Sequence, residues 1–238
     1  MSELVVYSIP GSPFGRAVLI TLEEKAVPYR LVPVPPHTLR TPEHLGRHPF
    51  GRVPVLEHGD FRLRETQAIL RYLDRVLPQP ALTPADPRAA ARMDELMNVN
   101  DWYVFQGVGN VIAFQRIVAP RVLGRTADEA AIAAALPRAH QVFDALAALL
   151  GSRPYFAGED FTLADALLAP QLDFLGQTPE WPTLTADHAN LGRWLERVRE
   201  RASFAATTWE KVAAMGRAST AAPAAAPAQP PASAGAMR

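Results

Sequence analysis

The sequence has no cysteine, so it can form neither disulfides nor thiolate metal sites, and no protein thiol can act as its nucleophile. Neither charge is in excess. Lys and Arg number 24 and so do Asp and Glu, leaving no global field to draw in nucleic acid or an anionic membrane surface. No apolar run approaches the ~18 residues of a membrane span. The opening residues, MSELVVYSIPGSPFGR, carry no basic segment followed by an apolar stretch. A cytoplasmic protein with no membrane or nucleic-acid partner is expected. The six histidines show no metal-ligand spacing with acidic residues, so no metal is expected either.

What remains is ordinary globular material. Hydrophobic residues make up 48% of the 238, enough to build a core without cross-links, and the length suits two modest domains. Leu4-Val5-Val6-Tyr7 is a β-prone run that ends in the turn residues Ser8-Ile9-Pro10-Gly11-Ser12-Pro13. From Phe14 to Lys25 the period changes: Val18, Leu19 and Leu22 fall at helical spacing, with Arg16, Glu23, Glu24 and Lys25 assigned to the surface. Tyr29 to Val32 closes a β-α-β unit, whose crossover implies parallel strands. A short helix is expected near Glu43 to Leu45. Val55 to His58 and Phe61 to Arg64 read as a hairpin about Gly59-Asp60, with Gly supplying a positive φ. Glu65 to Val76 returns to helix through Ile69, Leu70 and Leu73. The order β-α-β-α-β-β-α is that of a thioredoxin-like domain.

Four prolines, Pro78, Pro80, Pro84 and Pro87, stop helix and strand alike, which marks residues 78–87 as a linker after a first domain over 1–77. The following residues, 88–216, are expected to form an all-helical second domain. Its segments are Arg88 to Val118, Ala127 to Leu150 with a break at Pro137, Leu163 to Leu175, Leu191 to Arg201, and a last piece near Trp209. The fold class is therefore α/β plus all-α. Residues 217–238, mostly Ala, Pro and Ser with no aromatic, read as a disordered tail.

The run GSPFGRAVLITLEEKAVPY, followed by PEHLGRHPFGRVPVLEHGDFRLRETQAILRYL, resembles the glutathione transferase superfamily, closest to the classes that use an active-site serine. The resemblance is close over roughly the first 80 residues and looser beyond. It implies an enzyme that takes glutathione as co-substrate with no other cofactor, favours its thiolate, and directs it at a small hydrophobic electrophile. It also implies a homodimer.

Ser12 precedes helix one, where unpaired amides and the positive end of the helix dipole favour an anion. Read alone it is a capping serine; in the family's context it is the donor to glutathione's sulfur. Tyr7, at the end of the first strand, is the competing donor. Arg16 resembles the family's helix-one arginine, with a structural salt bridge as its ordinary role. Val53-Pro54 resembles the cis-proline turn whose backbone pairs with the cysteinyl part of glutathione. Glu65-Thr66 stands where the family has an acidic residue and serine for the γ-glutamyl group, with threonine as a departure that keeps the hydroxyl. Arg40 and Arg52 match positions near the glycyl carboxylate, with His37 a weaker neighbour. Tyr103, Phe105 and Phe114 are candidates for the second-substrate pocket, though aromatics at helical spacing are more often core. Thr162 and Asp165 form a reciprocal helix cap with a folding role. Two other readings stay open: a glutathione-dependent disulfide or peroxide reductase, and a non-catalytic interaction module that keeps the fold.

Overall fold

The computed structural model describes residues 2–221. Strand β1 (Leu4–Ser8) lies inside a four-stranded sheet of order β2-β1-β3-β4. It pairs in parallel with β2 (Arg30–Pro33), Val6 opposite Leu31, and antiparallel with β3 (Val55–His58), Val6 opposite Leu56. Strand β4 (Phe61–Leu63) completes the hairpin, and Gly59 in its turn has φ +63°, the left-handed conformation expected of it. Helix α1 (Pro13–Glu24) makes the β1–β2 crossover, α2 (Pro42–Arg47) precedes β3, and α3 (Thr66–Val76) follows β4.

Helix α1 departs from the amphipathic helix expected. Every residue from Gly15 to Leu22 is buried, because α1 lies between the sheet and a helix of the second domain. Arg16, Glu24 and Lys25 are accordingly not surface charges. Arg16 donates from Nη1 to Asp173 at 2.6 Å, Arg201 holds Glu24 through two bonds of 2.7 Å, and Lys25 Nζ lies 2.5 Å from Asp74. Lys25 also donates to the Pro80 carbonyl, and Asp74 accepts the Leu82 amide at 2.9 Å. This pair therefore fixes the proline-rich segment against the first domain. Burial would raise the carboxyl of Asp74, but hydrogen bonds led by that from Lys25 hold it below its ordinary value.

The rest is helical. Helix α4 (Pro87–Val99) is N-capped by Asp86, whose side chain accepts the Ala89 amide at 2.8 Å. A segment with a wider, π-type hydrogen-bond pattern continues over Asn100–Val118 into α5 (Ala119–Leu123), where one regular helix was expected. Helix α6 (Glu129–Leu150) does not break at Pro137. Both Pro137 and Ala133, whose carbonyl loses its partner, are exposed, so the freed carbonyl is open to solvent and not buried without a partner. Then come α7 (Leu163–Leu175), α8 (Trp181–Leu184), α9 (Ala189–Arg199), α10 (Ala202–Ala206) and α11 (Trp209–Ala221). The tail expected over 217–238 thus begins inside α11, and residues 222–238 lie outside those described. No helix among the described residues is long and apolar enough to cross a membrane.

Helix α7 is the axis of the second domain: all of its residues are buried. Asp165, near its start, anchors it. Its Oδ2 accepts the Thr162 amide at 3.0 Å and the Thr162 hydroxyl at 2.8 Å. Its Oδ1 accepts the Phe156 amide at 3.1 Å and the Trp194 indole N–H at 2.9 Å. The reciprocal cap read from sequence is therefore also a tie between α7 and α9. Complete burial pushes the Asp165 carboxyl up, against these four donors.

Replacing Asp165 with Ala would orphan buried donors, each costing about 1–3 kcal/mol. We expect Asp165→Ala to lower unfolding free energy by about 3 kcal/mol or more, and Asp165→Asn by less, because it keeps an acceptor. Denaturant titration checks this, and an unchanged midpoint would contradict it.

Candidate functional site

Sequence dictates the first wall of the site. Residues His48-Pro49-Phe50-Gly51 form a β-turn closed by Gly51 N–H donating to His48 O at 2.8 Å, with proline at the second position and glycine at the fourth, as type I turns prefer. Gly51 has φ +60°, and a Cβ there would lie 2.6 Å from the Leu39 carbonyl, so only glycine fits. The turn leads to Val53-Pro54, whose peptide bond is cis. His44 on α2 braces this loop, its Nε2 lying 2.9 Å from the Arg52 carbonyl.

The second wall is the start of α3. Glu65 has φ +64° and ψ 114°, a backbone conformation that costs a non-glycine residue roughly 1–3 kcal/mol and recurs at ligand sites. No side chain caps the helix, so its first amides are left for a ligand. Thr66, its first residue, is buried.

The third wall comes from the second domain. Asp101, Trp102, Phe105 and Gln106 share one face of the wide-turned segment. Phe105 meets Phe14 of α1 edge to face, with ring centroids 4.8 Å apart. Gln67 of α3 donates to Asp101 at 2.7 Å and to the Met97 carbonyl at 2.8 Å, tying the second wall to the third. Burial pushes the Asp101 carboxyl up. The three walls and Phe14 enclose a cleft of about 290 Å³, also lined by His48, Phe50, Arg52, Val53 and Pro54. Both domains contribute polar and aromatic side chains to it: His48, Arg52, Glu65, Phe14 and Phe50 from the first, Asp101, Gln106, Trp102 and Phe105 from the second.

Two family models match the chain: the glutathione S-transferase N-terminal domain over residues 2–75 and the C-terminal domain over residues 110–202. Glutathione S-transferase 3 of Zea mays is 31% identical over 211 residues, covering 87% of this chain and 94% of the relative. The chain belongs to the glutathione S-transferase family. Among solved structures it is similar to glutathione transferase F7 of Populus trichocarpa, at 28% identity with a TM-score of 0.77 over 90% of this chain and 99% of that one. It is also similar to glutathione S-transferase I in complex with lactoylglutathione, at 29% identity with a TM-score of 0.76 over 90% of this chain and all of that one.

Of the residues that this transferase offers from sequence, the structure brings Arg52, Val53, Pro54, Glu65, Thr66 and Phe105 to one cleft. Arg40 packs near Gly51 and is exposed; it does not line that cleft, and neither does Phe114. Tyr103 faces elsewhere, into an apolar groove with Val99, Arg138, Val142 and Leu149. One helical step separates it from the cleft-lining face, a register that aromatic spacing alone did not resolve. Ser12 is the N-cap of α1, its Oγ accepting the Gly15 amide at 3.1 Å, which leaves the hydroxyl proton free to be donated. It borders a narrow recess with Gly11, Arg16 and Trp209 rather than the main cleft, two residues from Phe14. Asp101, Trp102 and His48 were not among the expected site residues. Their positions four and three before Phe105, and at the head of the Pro-Phe-Gly turn, are the signals that mark them.

Tyr7 points to the opposite side of the sheet from α1. Its hydroxyl donates to Glu57 at 2.9 Å, and the Arg47 guanidinium lies 4.7 Å from the ring centre. Burial, followed by the Glu57 bond, raises its phenol above the ordinary value, so it stays protonated at neutral pH. Tyr7→Phe should therefore cost only that hydrogen bond, about 0.5–1.5 kcal/mol of stability. Glutathione-dependent turnover should be unchanged, as steady-state assay and chemical denaturation on the same preparation would show.

Proposed function

We propose that this transferase binds glutathione along the first-domain walls of the cleft and stabilises its thiolate for attack on a small hydrophobic electrophile. The observation that carries this reading is the uncapped, strained start of α3 facing the cis-Val53-Pro54 loop across the same cleft. Thr66 and the first α3 amides receive the γ-glutamyl carboxylate, and Glu65 its ammonium. The backbone of Val53 pairs with the cysteinyl unit in the manner of an added strand. Arg52 meets the glycyl carboxylate, with Arg40 beyond it. No further cofactor is needed, because glutathione brings the thiol that this cysteine-free chain lacks.

Ser12 donates its hydroxyl proton to the sulfur and forms no covalent bond. Lowering a thiol from about 8.5 by two pH units takes about 2.7 kcal/mol. A hydrogen bond to a charged group supplies roughly 1.5–3 kcal/mol, and a helix end roughly 0.3–1. The two together meet the requirement. The electrophile then lies against Phe14 and Phe105.

A homodimer is part of the same proposal. Phe50, at the cleft edge, is 66% exposed, and the groove around Val99, Tyr103, Val142 and Leu149 is an apolar surface a second copy would cover. The first domain over 1–77, the linker 78–87 and the helical domain over 88–216 are the units we propose for the protomer.

Calorimetry for glutathione binding, followed by thiolate absorbance of the complex against pH, tests the mechanism. We expect binding with the thiol pKa lowered, and a loss of about 10²–10³ in kcat/KM for Ser12→Ala, as when one donor to a reacting anion is removed. Binding with an unshifted thiol would refute the mechanism. Activity on an aryl halide rather than a mixed disulfide separates transfer from reduction. Phe105→Ala should raise KM for the electrophile several-fold while leaving that for glutathione within about twofold, the pattern of a lost ground-state contact.

A further inference from the structure

His48 is a titratable side chain built into the cleft, and the turn it begins dictates how it is protonated. Its ring is 3% exposed and lines the cleft beside Glu65. The Phe50 amide donates to His48 Nδ1 at 3.3 Å, a side-chain bond to the backbone two residues on, which is how Asn and Asp stabilise such turns. An amide can only donate, so Nδ1 is bare in the neutral ring and the proton sits on Nε2. Nε2 faces the Glu65 carboxylate at 3.9 Å, too far for a hydrogen bond but within ion-pair range. The Glu65 side chain is itself 71% exposed and has no other ion-pair partner among the described residues.

We infer that His48 is a positioning residue for the ammonium end of bound glutathione: neutral, it directs Nε2–H toward Glu65 and leaves that carboxylate free for the peptide. The inference rests on the role proposed above for Glu65. A second proton, taken from solvent at Nδ1, would do two things. It would remove the acceptor of the Phe50 amide, loosening the 48–51 turn, and it would make His48 a cation competing with the peptide's ammonium for Glu65. Glutathione affinity therefore falls on acidification.

The other charged groups around the ring are Arg64 beside Glu65, His44 of α2, Arg52 of the cis-proline loop and Asp101 across the cleft. Burial is the largest influence on His48 and holds its pKa below the ordinary imidazole value; Glu65 opposes this, and Arg64, His44 and Arg52 reinforce it. A bound ammonium at Glu65 would add to the cations and disfavour the imidazolium further. The sign follows: affinity is full while His48 is neutral, and is lost as pH falls through its lowered pKa, below about 6.5.

The test uses S-methylglutathione, which has no thiol to titrate, and calorimetry on the full chain from pH 8 to pH 5. For the wild type we expect the dissociation constant to rise on acidification, with a limiting slope of about tenfold per pH unit for one linked proton. His48→Asn keeps an acceptor for the Phe50 amide but cannot titrate and lacks the Nε2–H directed at Glu65, so its affinity should lie below the wild type's at pH 8 and stay flat to pH 5. Asp101→Asn should retain the wild-type fall. Parallel profiles for the wild type and His48→Asn would overturn the inference, as would loss of the fall in Asp101→Asn alone. Thermal melts at each pH separate unfolding from weakened binding. Absence of binding by the wild type at every pH would instead defeat the glutathione reading itself.

Discussion

The structure turns on the charge of Arg16. Its guanidinium is buried between the domains, 2.6 Å from Asp173 of α7 and 3.2 Å from the Phe204 carbonyl, with the Phe204 ring centre 3.8 Å away. Burial lowers its pKa, and Asp173 opposes that shift. A charge that stays buried after losing its partner costs about 3–5 kcal/mol, so neither Arg16 nor Asp173 tolerates replacement of the other by a neutral residue. Arg16 follows Ser12 by one helical turn. The ion pair that joins the domains thus also fixes the end of α1 where the reactive sulfur is proposed to sit.

The other end of α1 is held as firmly. Lys25, with Asp74 and the Pro80 carbonyl, locks the helix to α3 and to the proline-rich connection, and Arg201 reaches Glu24 from the second domain. Two further ties cross between α3 and the helical domain: Gln67 with Asp101, and Arg71 with Asp94 at 2.5 Å. A cleft whose opposite walls belong to different domains keeps its width only if the domains keep their relation. These polar bonds add to the continuous apolar core that already joins the two domains through α1 and α7.

Much of this arrangement was legible because its signals are local. The limits of α7, the hairpin about Gly59 and the Thr162–Asp165 cap each follow from residues within a few positions of one another. A structural salt bridge was expected of Arg16 and is present, but the burial of α1 did not follow, because the partner Asp173 lies far along the chain and helical spacing alone put Arg16 on the surface. Pro137 was misleading for a related reason: a proline removes one hydrogen bond and crowds the carbonyl four residues back, and on this exposed face the packing of the rest of α6 outweighs both. In the cleft, turn chemistry and the cis-proline signature located one wall. Which side of the opposite helix faced inward depended on a register that Tyr103 and Phe105, two residues apart, could not settle.

Helix α11 crosses back over the first domain and sets Trp209 against Gly11, beside Ser12. A Cβ on Gly11 would fall 2.1 Å from the indole, and the Gly11 φ of +85° disfavours any side chain as well. Arg121 also packs on the indole, 4.2 Å from the ring centre. The smallest residue of the opening loop and one of the largest of the closing helix have thus been fitted to each other across nearly the whole chain. Neither position is free to vary by itself, and the shape of the recess beside Ser12 is inherited as a pair.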